Sequence, residues 1–333
     1  MIISTISREM RLTRYYLDRV IETASHRYKE YTIPKRTGGF RIIHHPSREL
    51  KLIQSWLADN VFSYMMISEF VYSYKANVGI LDHALIHKNN NYLLRVDFKD
   101  FFPSITRHDV ETLIKKNLSE IPLKLTLNDC YVISKLVCRL DSESKLYGLT
   151  IGAPSSPVIS NSILYEFDTY WGNKCDGLSI KYSRYADDLF FSTNKPNVLA
   201  NIFEELQAHV NNMRSPKIII NRDKTIFTSR KRRRVITGLI ITSENHISIG
   251  RAKKREIKSM IFKYTKNQLD QHEISYLRGY LSYAKSVEPS FIKSMNEKFG
   301  KVCINGIRKQ EPISNKKNSQ STIGTSKSFK IKT

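Results

Sequence analysis

Tyr185-Ala186-Asp187-Asp188 sets two adjacent carboxylates between two apolar runs, Ile180-Lys-Tyr-Ser-Arg-Tyr185 and Leu189-Phe-Phe-Ser-Thr193. A third carboxylate, Asp97, ends the compact run Tyr92-Leu-Leu-Arg-Val96. Neighbouring carboxylates repel one another and cost stability unless a cation neutralises them. Three converging on one spot would suit a pair of Mg²⁺ ions, which prefer oxygen ligands and are held by a few carboxylates plus substrate phosphates. Two such ions about 4 Å apart can activate an attacking hydroxyl and stabilise a departing pyrophosphate. Read alone, Asp-Asp is ordinary hairpin-turn chemistry. The apolar runs around it, and the charge of the chain, give it weight.

That charge is large. Among 333 residues, 54 are Lys or Arg and 31 are Asp or Glu, a net +23. Such a surplus points to a polyanionic partner, nucleic acid first, because each neutralised phosphate releases a counterion. The charge is also clustered. Arg230-Lys231-Arg232-Arg233-Arg234 is unbroken, and Arg251, Lys253, Lys254, Arg255 and Lys258 follow. The alternative for each cluster is a solvated charged face. The 41% hydrophobic content permits a packed core and excludes global disorder. No apolar stretch approaches the roughly 18 residues of a membrane helix, and the start of the chain lacks a signal-peptide core. Four cysteines without CxxC or Cys/His spacing argue against a disulfide framework or zinc site. A basic, globular, cytoplasmic protein is expected.

The elements that must position the acids follow from periodicity. Residues 8–30 and 48–66 read as helices, and 31–46 as a hairpin turning at Gly38-Gly39, with Lys35, Arg36 and Arg41 near the turn. Thr106 with Asp109 resembles a capping box opening a helix. Ser156-Pro157 opens another, expected to run through about 171. The runs 180–185 and 189–193 form a hairpin with residues 186–188 as its turn. A helix follows around 199–210, then strands at 217–220 and 235–241 and a basic helical stretch from about 250 to 300. From 308 onward the chain reads as a disordered basic tail. The fold class expected is α+β, with acids at strand ends.

In this order the stretches resemble the reverse transcriptases, and among them the bacterial retron type, over roughly residues 28–290. Lys35, Arg41 and Pro46 to Leu50 look like the fingers hairpin, and Val96-Asp97-Phe98-Lys99-Asp100-Phe101-Phe102-Pro103-Ser104 like the first catalytic strand of the palm. Gly152-Ala153-Pro154-Ser155-Ser156-Pro157 with Asn161 resembles the turn and helix that position template and nucleotide. Asn221, Lys224 and Thr225 match the loop carrying the family's lysine. His83-Ala84-Leu85-Ile86-His87 resembles the retron Asn-Ala-x-x-His block with its Asn replaced, and Ile236-Thr237-Gly238 resembles the retron Val-Thr-Gly element. One departure is Ile151, where the family commonly has Gln; Thr150 is the neighbour that would have to compensate.

The resemblance implies roles. Asp97, Asp187, Asp188 and the backbone carbonyl of Phe98 would hold two Mg²⁺. Phe102 takes the position of the sugar-discriminating aromatic, its alternative being a core Phe. Lys35 and Arg41 would hold the triphosphate of an incoming dNTP beside Gly152 and Pro154, since guanidinium forks suit phosphate oxygens. Lys224 would neutralise or protonate the pyrophosphate, its alternative being a surface lysine. His87, Arg230, Lys231, Arg232, Arg233, Arg234, Thr237, Lys253, Lys254 and Arg255 would contact RNA. For the His83/His87 pair, one helical turn apart, RNA or structural contact is expected over metal binding, as no third ligand is evident.

The implied fold is a right-hand polymerase: interleaved fingers and palm over 1–243, a helical thumb over 244–307 and a tail over 308–333. The 92 residues after position 241 (333 − 241) leave no room for both a thumb and an RNase H domain. The implied activity is RNA-templated DNA synthesis in a retron. Its structured non-coding RNA would be primed from a guanosine 2′-hydroxyl to yield branched msDNA, in anti-phage defence with an effector protein as partner. The alternatives are another stand-alone defence reverse transcriptase that makes no msDNA, and a nucleic-acid-binding scaffold with a vestigial site.

Overall fold

The computed structural model describes residues 2–34 and 38–309. Lys35 and the tail beyond 309 lie outside the described residues. The chain forms two compact units that divide between Ile247 and Ser248.

The first unit opens with α1 (Ile2–Met10) and α2 (Arg14–Thr23) in place of the single helix expected over 8–30. Arg11 takes a φ of +53°, which no helix interior tolerates, and Thr13 caps the next helix by accepting from the Tyr16 N–H. β1 (Tyr28–Pro34) and β2 (Phe40–Pro46) pair antiparallel, Tyr28 opposite Pro46. Next come α3 (Arg48–Asn60), α4 (Ile80–His87), β3 (Tyr92–Lys99), α5 (Phe101–Ser104), α6 (Arg107–Lys116) and α7 (Leu127–Val137). α3 stops short of the expected 66, giving way to a 3₁₀ turn at 62–64. The Thr106/Asp109 capping box is present at the start of α6. The short strands β4 (Arg139–Leu140) and β5 (Tyr147–Gly148) precede α8 (Ser156–Ile163) and α9 (Tyr165–Gly177). Those two helices replace the one expected through 171, because the chain leaves helical geometry at Leu164. β6 (Lys181–Tyr185), β7 (Asp188–Thr193), α10 (Val198–Asn212), β8 (Ile219–Ser229), β9 (Arg234–Ile236) and β10 (Leu239–Ile241) complete the unit.

The organising feature is a four-stranded sheet in the order β6-β7-β3-β8, antiparallel at every pairing. Side chains alternate across it. On one face Phe191 meets Tyr182 and, on α9, Trp171, and Phe98 meets Phe167 of the same helix. On the other, Ser183 and Phe190 meet His83 and His87 of α4. Because helices cover both faces, Leu189–Thr193 are all buried, which explains a continuous apolar run rather than an alternating one. Burying a side chain of Phe191's size stabilises by about 2–3 kcal/mol.

The second unit packs α11 (Arg251–Thr265), α12 (Gln271–Val287), α13 (Pro289–Phe299) and α14 (Lys301–Lys309) over a core that includes Ile257, Ile261, Leu277, Leu281, Met295 and Ile304. Among the described residues, no helix is long and apolar enough to cross a membrane.

Candidate active site

The register of the central strands decides where the acids go. Asp97 of β3 lies directly opposite Asp188 of β7, so both side chains leave the same face of the sheet. Asp187 follows Ala186 at the turn between β6 and β7, and its carbonyl accepts from the Phe98 N–H at 3.0 Å. Residues 90 positions apart (187 − 97) therefore meet at one end of the sheet. Asp188 is the first residue of β7 rather than part of the turn, a difference of one position from the sequence expectation.

Each carboxylate in contact with a cation has a named partner. Lys224 Nζ donates to both oxygens of Asp97, at 2.9 and 3.2 Å. Arg95 binds Asp188 with a two-pronged contact, Nε to Oδ1 at 3.0 Å and Nη2 to Oδ2 at 2.9 Å. Lys224 reaches Asp97 because β8 bulges: Asn221 pairs with Asp97 and Ile226 with Arg95, leaving residues 222–225 opposite Val96 alone. The lysine expected on a loop thus sits within a strand whose pairing is broken at that point. Burial raises the pKa of Asp188 to about 6, opposed by Arg95 and reinforced by Asp187. Burial also raises that of Asp187, with Asp97 adding to the shift and Lys224 and Arg41 opposing it.

Among the described residues no group of three acidic, His or Cys side chains is arranged to hold a metal ion. Lys224 and Arg95 instead hold Asp97 and Asp188. The donor set nevertheless fits hard divalent ions. It consists of carboxylate oxygens, two of them made reluctant to ionise by burial and mutual charge, which a bound cation would relieve.

Around the acids, Gly152 has a φ of +111°, and a Cβ there would stand 2.9 Å from the His44 carbonyl and the Ile43 side chain. The His44 N–H donates to the Ile151 carbonyl at 2.9 Å, so this turn docks on β2, the strand that carries Arg41. Arg41 is exposed and near enough for its charge to act on Asp187. Pro154 is half-buried, as is Phe102, whose ring packs against Phe101 at 5.4 Å. Thr150 is buried at 4% exposure and does not offer its hydroxyl outward to compensate for Ile151. The ring of Phe98 is buried against Phe101 and Phe167.

Several expected RNA contacts are corrected. His87 is 1% exposed; its Nδ1 bonds Ser192 Oγ and its Nε2 bonds Ser183 Oγ, both at 2.7 Å. Its role is structural. Arg234 is also 1% exposed, its guanidinium donating to the carbonyls of Asn90 and Thr242 and to Asn245 Oδ1. Strand alternation in β9 turns it inward, while Arg230, Lys231, Arg232 and Arg233 remain exposed. Thr237 and Gly238 both take positive φ in the two-residue turn between β9 and β10, and the Thr237 hydroxyl is buried and so not offered to a ligand. In the second unit Lys253 pairs with Glu256 and Tyr280, and Lys254 with Glu288. Arg255 is exposed.

Sequence reasoning missed Arg95, Arg184, Asp168 and Ser73. Arg95 carried a signal: it stands two residues before Asp97 in an otherwise apolar strand, hence on the same face. Ser73 carried none.

An antiparallel sheet with paired acids at one end, flanked by helices, defines a polymerase of the right-hand type. Residues 33–277 match the family model "Reverse transcriptase (RNA-dependent DNA polymerase)". The chain is 36% identical over 285 residues to the Retron Ec83 reverse transcriptase of Escherichia coli, covering 85% of this chain and 90% of that one. It is 33% identical to the Retron Ec73 enzyme, covering 81% and 86%, and 30% identical to the Retron Ec86 enzyme, covering 90% and 91%, both from Escherichia coli. The chain belongs to the reverse transcriptase family, in its retron branch, and is an RNA-directed DNA polymerase of a retron.

Proposed function

We propose that the chain copies a structured non-coding RNA into DNA, starting from the 2′-hydroxyl of a guanosine in that RNA, to give branched msDNA. Asp97, Asp187 and Asp188, with the Phe98 carbonyl, would hold two Mg²⁺. When bound, such ions supply Lewis-acid activation of the attacking hydroxyl and charge neutralisation at the phosphates. The remaining work falls to the chain itself. Lys224, leaving Asp97, neutralises or protonates the pyrophosphate. Arg41, with Lys35 as an expectation from sequence, orients the triphosphate above the Gly152 turn, and Phe102 favours a sugar lacking a 2′-hydroxyl. The observation that carries this reading is the register placing Asp97 opposite Asp188, with Asp187 tied to Phe98.

Arg230, Lys231, Arg232, Arg233 and Arg255 are the exposed cations assigned to RNA backbone, which suits A-form helices read through shape and phosphate. Residues 1–243 are assigned to fingers and palm and 244–307 to the thumb. We place the protein in the cytoplasm, in anti-phage defence with an effector protein. Sequencing the nucleic acid that copurifies with the protein tests this. A single RNA species joined through a 2′ branch to complementary DNA is expected; linear DNA alone, or RNA without attached DNA, contradicts it.

A further inference from the structure

The turn bearing the acids is strained at Ala186, a non-glycine residue with a φ of +56°. Left-handed geometry at a residue with a Cβ costs energy and persists only where the surroundings enforce it. Both backbone polar groups of Ala186 are held from buried positions. Its N–H donates to Ser73 Oγ at 2.8 Å, and its carbonyl accepts from Arg184 Nη1 at 3.0 Å. Arg184 is itself fixed. It is 0% exposed, and its Nε and Nη2 grip both oxygens of the equally buried Asp168 on α9, at 2.7–3.0 Å. Tyr182 donates a further bond to Asp168 Oδ1 at 2.7 Å. The segment bearing Ser73 is fixed as well: Asn161 of α8 donates to the Ser73 carbonyl at 2.9 Å, and Tyr72 N–H donates to the Arg184 carbonyl at 2.8 Å.

A buried Arg–Asp pair seldom repays its desolvation through stability alone. Here its spare N–H is spent on one carbonyl, that of the residue preceding the two acids. The geometry points to Ser73 and the Arg184–Asp168–Tyr182 network as positioning residues that hold Ala186 left-handed and thereby aim Asp187 and Asp188 at the divalent ions. This rests on the assignment of the Asp187–Asp188 turn to catalysis. None of the four touches substrate; they act through the backbone of the turn.

Ser73→Ala removes one of the two grips without removing a charge. Misplacement of reacting groups by about 1 Å costs on the order of 100-fold in rate, so a kcat loss of at least about 10-fold is expected, with the dNTP KM within about threefold of wild type. Mn²⁺ titrated into nucleotide-free protein and followed by electron paramagnetic resonance is expected to bind about fivefold or more weakly. Ser73→Thr, which keeps the hydroxyl, restores both. Tyr182→Phe loosens Asp168 by one bond and gives a smaller loss in the same direction. Ile133→Val, a buried substitution on α7, controls for stability and is expected to lower the melting midpoint without the kcat or Mn²⁺ effect. Wild-type kcat and Mn²⁺ affinity in Ser73→Ala, or an equal loss in Ile133→Val, overturns the inference. Asp187→Asn separates the two readings: if it remains fully active, the catalytic assignment of the turn fails; if it is inactive while Ser73→Ala is unimpaired, only the positioning network fails.

Discussion

Acidification provides a sharp test of the buried histidine pair behind the catalytic hairpin. His83 stacks between Tyr72 and Tyr185, at 5.3 and 5.6 Å, and bonds Ser183, while His87 bonds Ser183 and Ser192. Burial lowers the pKa of His83 to about 3 and that of His87 well below the usual imidazole value. Both are therefore neutral when folded and take up protons on unfolding once the pH drops below about 6.5. Their contribution is intact above that pH and is lost as pH falls through the range from 6.5 down toward the folded values. At pH 5.5 the loss is about 1 kcal/mol for each imidazole, about 2–3 kcal/mol for the pair, relative to pH 7.5. Urea unfolding followed by the fluorescence of Trp56 and Trp171, repeated from pH 7.5 to 5.5, reads it directly. The His83→Gln/His87→Gln variant starts less stable but should lose about 2–3 kcal/mol less over this range, since all other titrations cancel in the comparison. Equal slopes for wild type and variant would refute the burial of both rings and reopen a surface role for His87.

Three other outcomes follow from the same geometry. Gly152→Ala pushes a Cβ against the His44 carbonyl and Ile43; steady-state kinetics should show a raised dNTP KM, with a stability cost of about 1–3 kcal/mol. Arg234→Ala strips donors from the Asn90 and Thr242 carbonyls, so thermal melting should show destabilisation by about 2 kcal/mol or more. The triple variant Lys231→Ala/Arg232→Ala/Arg233→Ala should leave the melting midpoint nearly unchanged, while the slope of RNA affinity against salt concentration falls by about 2–3.

The parts of this molecule written in local pattern were legible. Tyr185-Ala186-Asp187-Asp188 between two apolar runs announces a hairpin, Thr106 with Asp109 announces a cap, and Gly38-Gly39 announces a turn. What escaped was set by partners distant in the chain. The spacing of His83 and His87 shows that they share a helix face, but whether that face meets solvent or a sheet depends on Ser183 and Ser192, about 100 positions away. The Arg230–Arg234 run reads as uniformly solvated, yet the alternation of β9 buries its last member. The family resemblance places Lys224 on a loop; residues 221–225 are instead the bulge of an edge strand, where most side chains are exposed and no apolar period marks the strand. Ser73 has no sequence signature at all, since its function is to accept one N–H from a turn 113 positions on.

The most direct test of the catalytic claim is primer extension on an RNA template with wild type, Asp97→Asn and Asp187→Asn, each first checked for folding and RNA binding. Both variants should bind RNA as wild type does and lose extension by a factor of about 1,000 or more. Extension by either variant at the wild-type rate would show that these carboxylates do not carry the reaction.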